Sequence, residues 1–133
     1  MEDEKVRLTT LEIREIFKEL RKKIKPYNEV IREKGYYLRP YNKVYNRDKR
    51  IYYFGGYWFS IKYEKGKMPI LKYLGLQKPS PELPDPPKVP KVKITRVGGW
   101  YETSKSQLEE LEKFIGKRIK KEEEEVKVEK MKL

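Results

Sequence analysis

The chain has no cysteine, no histidine and no alanine, and only two glutamines. The first two absences remove disulfides, thiolate metal sites, the usual zinc ligands and the usual general base. There is also no Walker A loop, no GxGxxG fingerprint and no metal-ligand spacing. A tyrosine nucleophile would need histidines, or arginines from a catalytic domain that this sequence lacks. The carboxylates Glu122 to Glu125 form a run and are not placed for two-metal work. These absences argue against an enzyme, and no cofactor is expected. No apolar run approaches the length of a membrane span, and the start MEDEKVR is not a signal-peptide pattern. A soluble, cytoplasmic protein with no membrane partner is expected, or a virion-associated one if the gene is viral.

What the chain does have is charge and flat rings. Of 133 residues, 41% are charged and 37% hydrophobic, so the core is modest and leans on aromatics, among them eleven tyrosines. Abundant Lys, Glu, Ile and Tyr with few glutamines match the ion-pair-rich make-up of hyperthermophile proteins. Alanine codons are GC-rich, so their absence points to an AT-rich genome. A hyperthermophilic archaeon, or a virus or plasmid of one, fits both traits. The net charge of +12 is uneven: residues 36–78 hold ten lysines and arginines against two acidic residues. A basic stretch interleaved with aromatics is the footprint of a polyanion binder. A lysine-rich surface that keeps a heat-adapted protein soluble is the alternative.

Residues 1–8 read as a frayed lead-in. Thr9-Thr10-Leu11-Glu12 is a capping box. Leu11, Ile13, Ile16, Phe17, Leu20 and Ile24 follow it at helical spacing. Pro26 is expected to end or kink this helix, and Tyr27 to Lys34 to form a second short one capped by Gly35. Tyr36-Tyr37-Leu38 reads as a strand cut by Pro40. The segment 39–50, RPYNKVYNRDKR, reads as a basic connection in which Arg39, Lys43, Arg47, Lys49 and Arg50 could meet phosphates. Tyr41 and Tyr45 between them either stack on bases or pin the loop to the sheet.

The stretch Ile51 to Leu76 has three aromatic and β-branched runs, separated by Gly55-Gly56 and by Glu64-Lys65-Gly66-Lys67. Such runs with glycine turns read as a meander. If Gly55-Gly56 is a two-residue loop, Phe54 pairs with Tyr57 and Tyr52 with Phe59. The core face is then Tyr52, Phe54, Tyr57, Phe59, Ile61, Tyr63, Ile70 and Leu74. The other face carries Ile51, Tyr53, Trp58, Ser60, Lys62, Leu71 and Tyr73. Residues 77–91 hold six of the nine prolines and should run extended, as a spacer or a strap along the domain. Val92 to Arg96 alternates as a short strand, and Gly98-Gly99-Trp100-Tyr101 reads as a turn presenting two aromatics. Ser104 or Ser106 caps a helix with Leu108, Leu111, Phe114 and Ile115 as its stripe, extended to Ile119 if Gly116 is tolerated. The tail KKEEEEVKVEKMKL frays, adds a strand or pairs with a partner.

Gly56, Tyr57, Trp58, Tyr63, Gly66, Lys67, Lys72, Tyr73, Leu74 and Gly75 form a pattern that resembles small three-stranded DNA-binding sheets. Examples are the arm-binding domains of tyrosine recombinases and the AP2-type domains. In that family one sheet face enters the major groove and the other packs on a helix that follows the sheet; here the long helix precedes it. The resemblance implies that Trp58, Ser60 and Lys62 face DNA, with Tyr73 beside them. Otherwise Trp58 and Tyr73 bury a second core layer against the C-terminal segment.

These readings combine into an α+β protein: a three-stranded antiparallel meander packed on an N-terminal amphipathic helix through Phe17, Leu20 and Ile24. Residues 1–78 would form the basic helix-plus-sheet domain, 79–91 a proline-rich linker or strap, and 92–133 a strand–helix appendage. The expected function is nucleic-acid binding, double-stranded DNA before RNA, in a regulatory or architectural role. The alternative is a structural or assembly subunit of a virion or multisubunit complex. It would meet other proteins through the aromatic face and the C-terminal helix.

Overall fold

Thr9 and Glu12 start the longest helix as the capping box requires. The Glu12 N–H donates to Thr9 Oγ1 at 3.1 Å and the Thr9 N–H to Glu12 Oε1 at 2.8 Å. The computed structural model describes residues 3–120 and carries this helix, α1, over Thr10–Arg32. The separate helix expected after Pro26 does not exist. Pro26 stands exposed and forfeits one backbone bond, while Asn28 and Ile31 beyond it are buried and hold the last two turns in place. Leu11, expected in the apolar stripe, is exposed; Ile13, Ile16, Leu20, Ile24 and Ile31 make it. Gly35, at φ 86°, takes the left-handed turn that sends the chain into the sheet.

The sheet has six antiparallel strands: β1 (Lys5–Leu8), β2 (Tyr36–Asn46), β3 (Lys49–Lys62), β4 (Ile70–Gly75), β5 (Val92–Val97) and β6 (Trp100–Ser104). Their order is β1-β6-β5-β3-β2, with β4 beside the second half of β3. With α1 and a second helix, α2 (Lys105–Ile115), the fold is α+β.

Three expectations fail here for identifiable reasons. Gly55-Gly56 is no turn but lies inside β3, where Tyr57 pairs with Arg39 and Phe54 with Tyr41. One extra β3 residue therefore faces Pro40, a bulge where a strand meets a residue with no N–H to donate. Second, residues 39–50 are not a loop: all but the tip residues Arg47 and Asp48 are paired strand or bulge, and Arg47 takes φ 57°. Third, the first residues and the last strand–helix segment belong to the sheet. β1 pairs with β6, and β5 inserts between β6 and β3. Tyr101, expected in an exposed turn, is therefore a buried strand residue.

Alternation along β3 sends Tyr52, Phe54 and Trp58 to the side of the helices. The larger core joins Ile13, Ile16 and Leu20 of α1 with Tyr52, Phe54, Val92, Ile94 and Tyr101 of the sheet and Leu108, Leu111 and Ile115 of α2. Phe17, half-buried, packs edge-on against Tyr41 and Tyr52 at 4.8 and 5.1 Å between ring centres. The apolar stripe of α2 is thus spent inside the molecule and is not free for a partner. Ser104, not Ser106, caps α2 by accepting from the Gln107 N–H at 3.3 Å, and Gly116 ends the helix at φ 74°. Ile119 lies beyond that end. The expected tail from residue 121 onward falls outside the described residues.

A smaller core joins Ile31, Leu38, Trp58 and Leu83. Leu83 comes from the proline tract, which runs as the expected strap. Tyr27 donates its hydroxyl to the Pro84 carbonyl at 2.6 Å, and Lys78 reaches the Leu83 carbonyl at 2.9 Å. Beside this cluster, Asn28 acts as a substitute strand for the edge of β2. Its Nδ2 donates to the Leu38 carbonyl at 2.9 Å, and its Oδ1 accepts from the Leu38 N–H at 2.8 Å. Both contacts are buried, so Asn28→Ala would strand two backbone groups. It should cost about 1 to 3 kcal/mol, measured as a lower unfolding free energy in urea.

Candidate nucleic-acid interface

Both helices and the strap lie on one side of the sheet, so no described helix covers the other. That outer face takes the odd-numbered residues of β3, namely Tyr53, Gly55, Tyr57, Phe59 and Ile61. Phe59 pairs with Tyr73 of β4, their rings 5.4 Å apart, and Tyr73 lies 6.5 Å from the Tyr57 ring. Arg39, on the neighbouring strand, sets its guanidinium 4.8 Å over the Phe59 ring. Lys93 of β5 sits 6.0 Å over Tyr53. At the far edge Arg7 lies 4.4 Å over Trp100, where Glu102 at 3.6 Å balances its charge. A row of cations and rings crosses the whole sheet.

The second basic element is the β2–β3 hairpin. Lys43 and Arg50 flank the exposed Tyr45 ring at 5.4 and 5.3 Å. The Lys43 ammonium at its hydroxyl, with Arg50 adding, pulls Tyr45 below the ordinary phenol value. Arg50 is half-held, its Nε buried without a hydrogen-bond partner. Lys43, Arg47 and Lys49 are exposed. Among the described residues none of Arg39, Lys43, Arg47, Lys49 or Arg50 has a carboxylate within ion-pair distance. The ion pairs fall on other residues, as in Lys78–Asp85 at 3.2 Å and Lys117–Glu15.

The residues expected to share a groove-facing surface are divided. Trp58 is only 2% exposed, walled in by Leu38, Ile31, Leu83 and the edge of the Tyr27 ring, and cannot touch a ligand. Ser60 and Lys62 share its side by alternation, and Lys62 stands exposed 3.9 Å from Glu64. Tyr73 is 52% exposed and points the other way. The rings that do face outward, Tyr57 and Phe59, were assigned to the core. The missed signal is Pro40, which marks where the opposite ladder breaks. Burial, with the Tyr73 and Tyr53 hydroxyls adding, raises Tyr57 above the usual phenol value, so it stays neutral and able to donate.

Among the described residues no cluster of acidic side chains could hold a metal ion, and no helix is long and apolar enough to cross a membrane. Comparison with protein-family models, with curated proteins and with solved structures gives no match.

Proposed function

We propose that the protein binds nucleic acid across the outer face of its sheet and along the β2–β3 hairpin, in a regulatory or architectural role and without catalysis. The observation that carries this reading is charge without an acidic partner: among the described residues, five cations around β2 and β3 face solvent or rings and not carboxylates. Phosphates would supply the missing counter-charge, and the rings beside them would take bases or sugars. The contacting residues would be Arg39, Lys43, Arg47, Lys49, Arg50 and Tyr73, joined by Tyr57 and Phe59 in place of Trp58. The test is electrophoretic retardation of random-sequence DNA at two salt concentrations. Binding should weaken by about a hundredfold or more between low and moderate salt. Absence of binding at low salt would refute the reading.

One feature favours a subunit role as the second reading. Among the described residues no strand pairs with the outer edge of β4, and Ile70, Leu71, Tyr73 and Leu74 in it, with Leu76 just beyond, are all exposed. An apolar edge strand with one lysine is a template for pairing with another chain. A stable oligomer in size-exclusion, together with no retardation of DNA, would decide for it.

A further inference from the structure

The ladder along one side of β3 is interrupted. β5 pairs with Ile51 to Phe54 and β4 with Trp58 to Lys62, so among the described residues Gly55, Gly56 and Tyr57 have no strand partner on that side. The same two glycines form the bulge on the other side, opposite Pro40. A gap of three residues is about 10 Å long at the rise of a strand, too short for a peptide to add itself lengthwise.

Over this gap opens a cleft of about 610 Å³. That lies within the range of small-molecule sites. Tyr53 and Tyr57 stand on either side of Gly55 on the outer face, and Gly55 has no side chain to fill the space between. A Cβ placed there would lie 3.7 Å from Tyr57 Cε2, so the Tyr57 ring leans over the bare backbone. The mouth is framed where the strap leaves and returns, by Gln77 and Lys91, and by Lys93 from β5.

We infer that this notch is a base pocket, taking one unstacked nucleobase of a single-stranded nucleic acid. The inference rests on the nucleic-acid reading above and narrows it to single strands. A nucleobase needs a flat apolar wall, a set of hydrogen-bond donors and acceptors along its edge, and a cation for the phosphate attached to it. The tyrosine rings supply the first and the edge of β3 from Gly55 to Tyr57, which no described strand covers on this side, the second. Lys91 and Lys93 supply the third. The flanking bases then have somewhere to go, because Tyr73 and Phe59 continue the aromatic row from Tyr57. A duplex keeps its bases stacked and paired, and cannot offer one to a notch of this size without flipping it out.

The test compares the intact protein with Tyr53→Leu/Tyr57→Leu and Tyr53→Phe/Tyr57→Phe. Each is titrated with single-stranded DNA, single-stranded RNA and duplex DNA of matched sequence at one fixed salt. The intact protein should prefer a single strand to the duplex. The leucine variant should lose about ten- to a hundredfold on single strands. Its salt slope should not change, because no charge is removed, and its loss on the duplex should be several-fold smaller than its loss on single strands. The phenylalanine variant keeps the rings and should retain affinity. Unfolding midpoints of both variants guard against misfolding, and Gly55→Ala, which needs no backbone change, gives an independent loss by filling the floor. Preference for DNA or for RNA identifies the strand without altering the inference. Equal loss on duplex and single strand, or no loss in the leucine variant, would overturn the pocket while leaving salt-dependent binding intact. Failure of the intact protein to bind any of the three would remove both.

Discussion

Replacing Lys43, Arg47 and Lys49 together by glutamine should flatten the salt dependence of nucleic-acid binding. The slope of log affinity against log salt should fall by about 2 on a single strand and by about 3 on a duplex. These three are the cations of the hairpin that stand exposed, whereas Arg39 and Arg50 lean on Phe59 and lie between rings. Their removal deletes charge and, in packing, chiefly the contact of Lys43 with the exposed Tyr45 ring, so the unfolding midpoint should stay near that of the parent protein. An unchanged slope in the triple variant would show that phosphates meet some other surface. A matching glutamine triple at Lys18, Lys22 and Lys25, on α1 and away from the outer face, should leave the slope as it was.

Trp58→Ala should be the most damaging single substitution in stability. The indole is enclosed by α1, β2 and the strap at once, and no small rearrangement can close so large a void. The expected loss is about 3 to 5 kcal/mol. For a chain of this size that corresponds to a fall of about 10 to 20 °C in Tm. Calorimetry or circular dichroism would read it directly. The experiment also separates two roles for this residue. A groove contact would lower affinity and leave Tm alone; a core residue lowers Tm and spares affinity in whatever fraction stays folded.

The error over Trp58 shows what the sequence made legible and what it withheld. α1 could be read from its capping box and its stripe, because both are local and repeat every turn. The strap could be read from proline alone, and β5 from the alternation of Val92 and Ile94. The faces of β3 could not. A glycine pair between two alternating runs looks the same whether the chain reverses there or runs on through a bulge. Taking it as a reversal pairs Tyr52 with Phe59 and puts Tyr57 inside. Running straight through turns Tyr57 and Phe59 outward and buries Trp58. A slip of one residue exchanges the two sides of a sheet. β1 was missed because its partner lies almost a hundred residues away. β6 had a local signal, the Gly98-Gly99 turn after an alternating strand, that was read for its aromatics and not as a hairpin.

The basic segment is not a loop but a rigid two-stranded arm, and its cations divide: Lys43 and Arg50 flank Tyr45 on the side of Tyr52, whereas Arg39 lies over Phe59 on the outer face. That difference matters for binding, since a preformed arm gives up less freedom on meeting a polymer than a loop would.

The pairing of β1 with β6 sets the order in which the protein can assemble. Lys5 to Leu8 leave the ribosome before every other strand described, yet find their place only when Tyr101 to Ser104 have followed. Until then Val6 and Leu8 have no ladder to join, while α1 and the β2–β3 arm already hold everything needed to meet each other. A chain truncated near residue 95 and released should accordingly leave Lys5 to Leu8 open to protease, which the full chain protects. Closing so long a loop also costs chain entropy, which this pairing must offset.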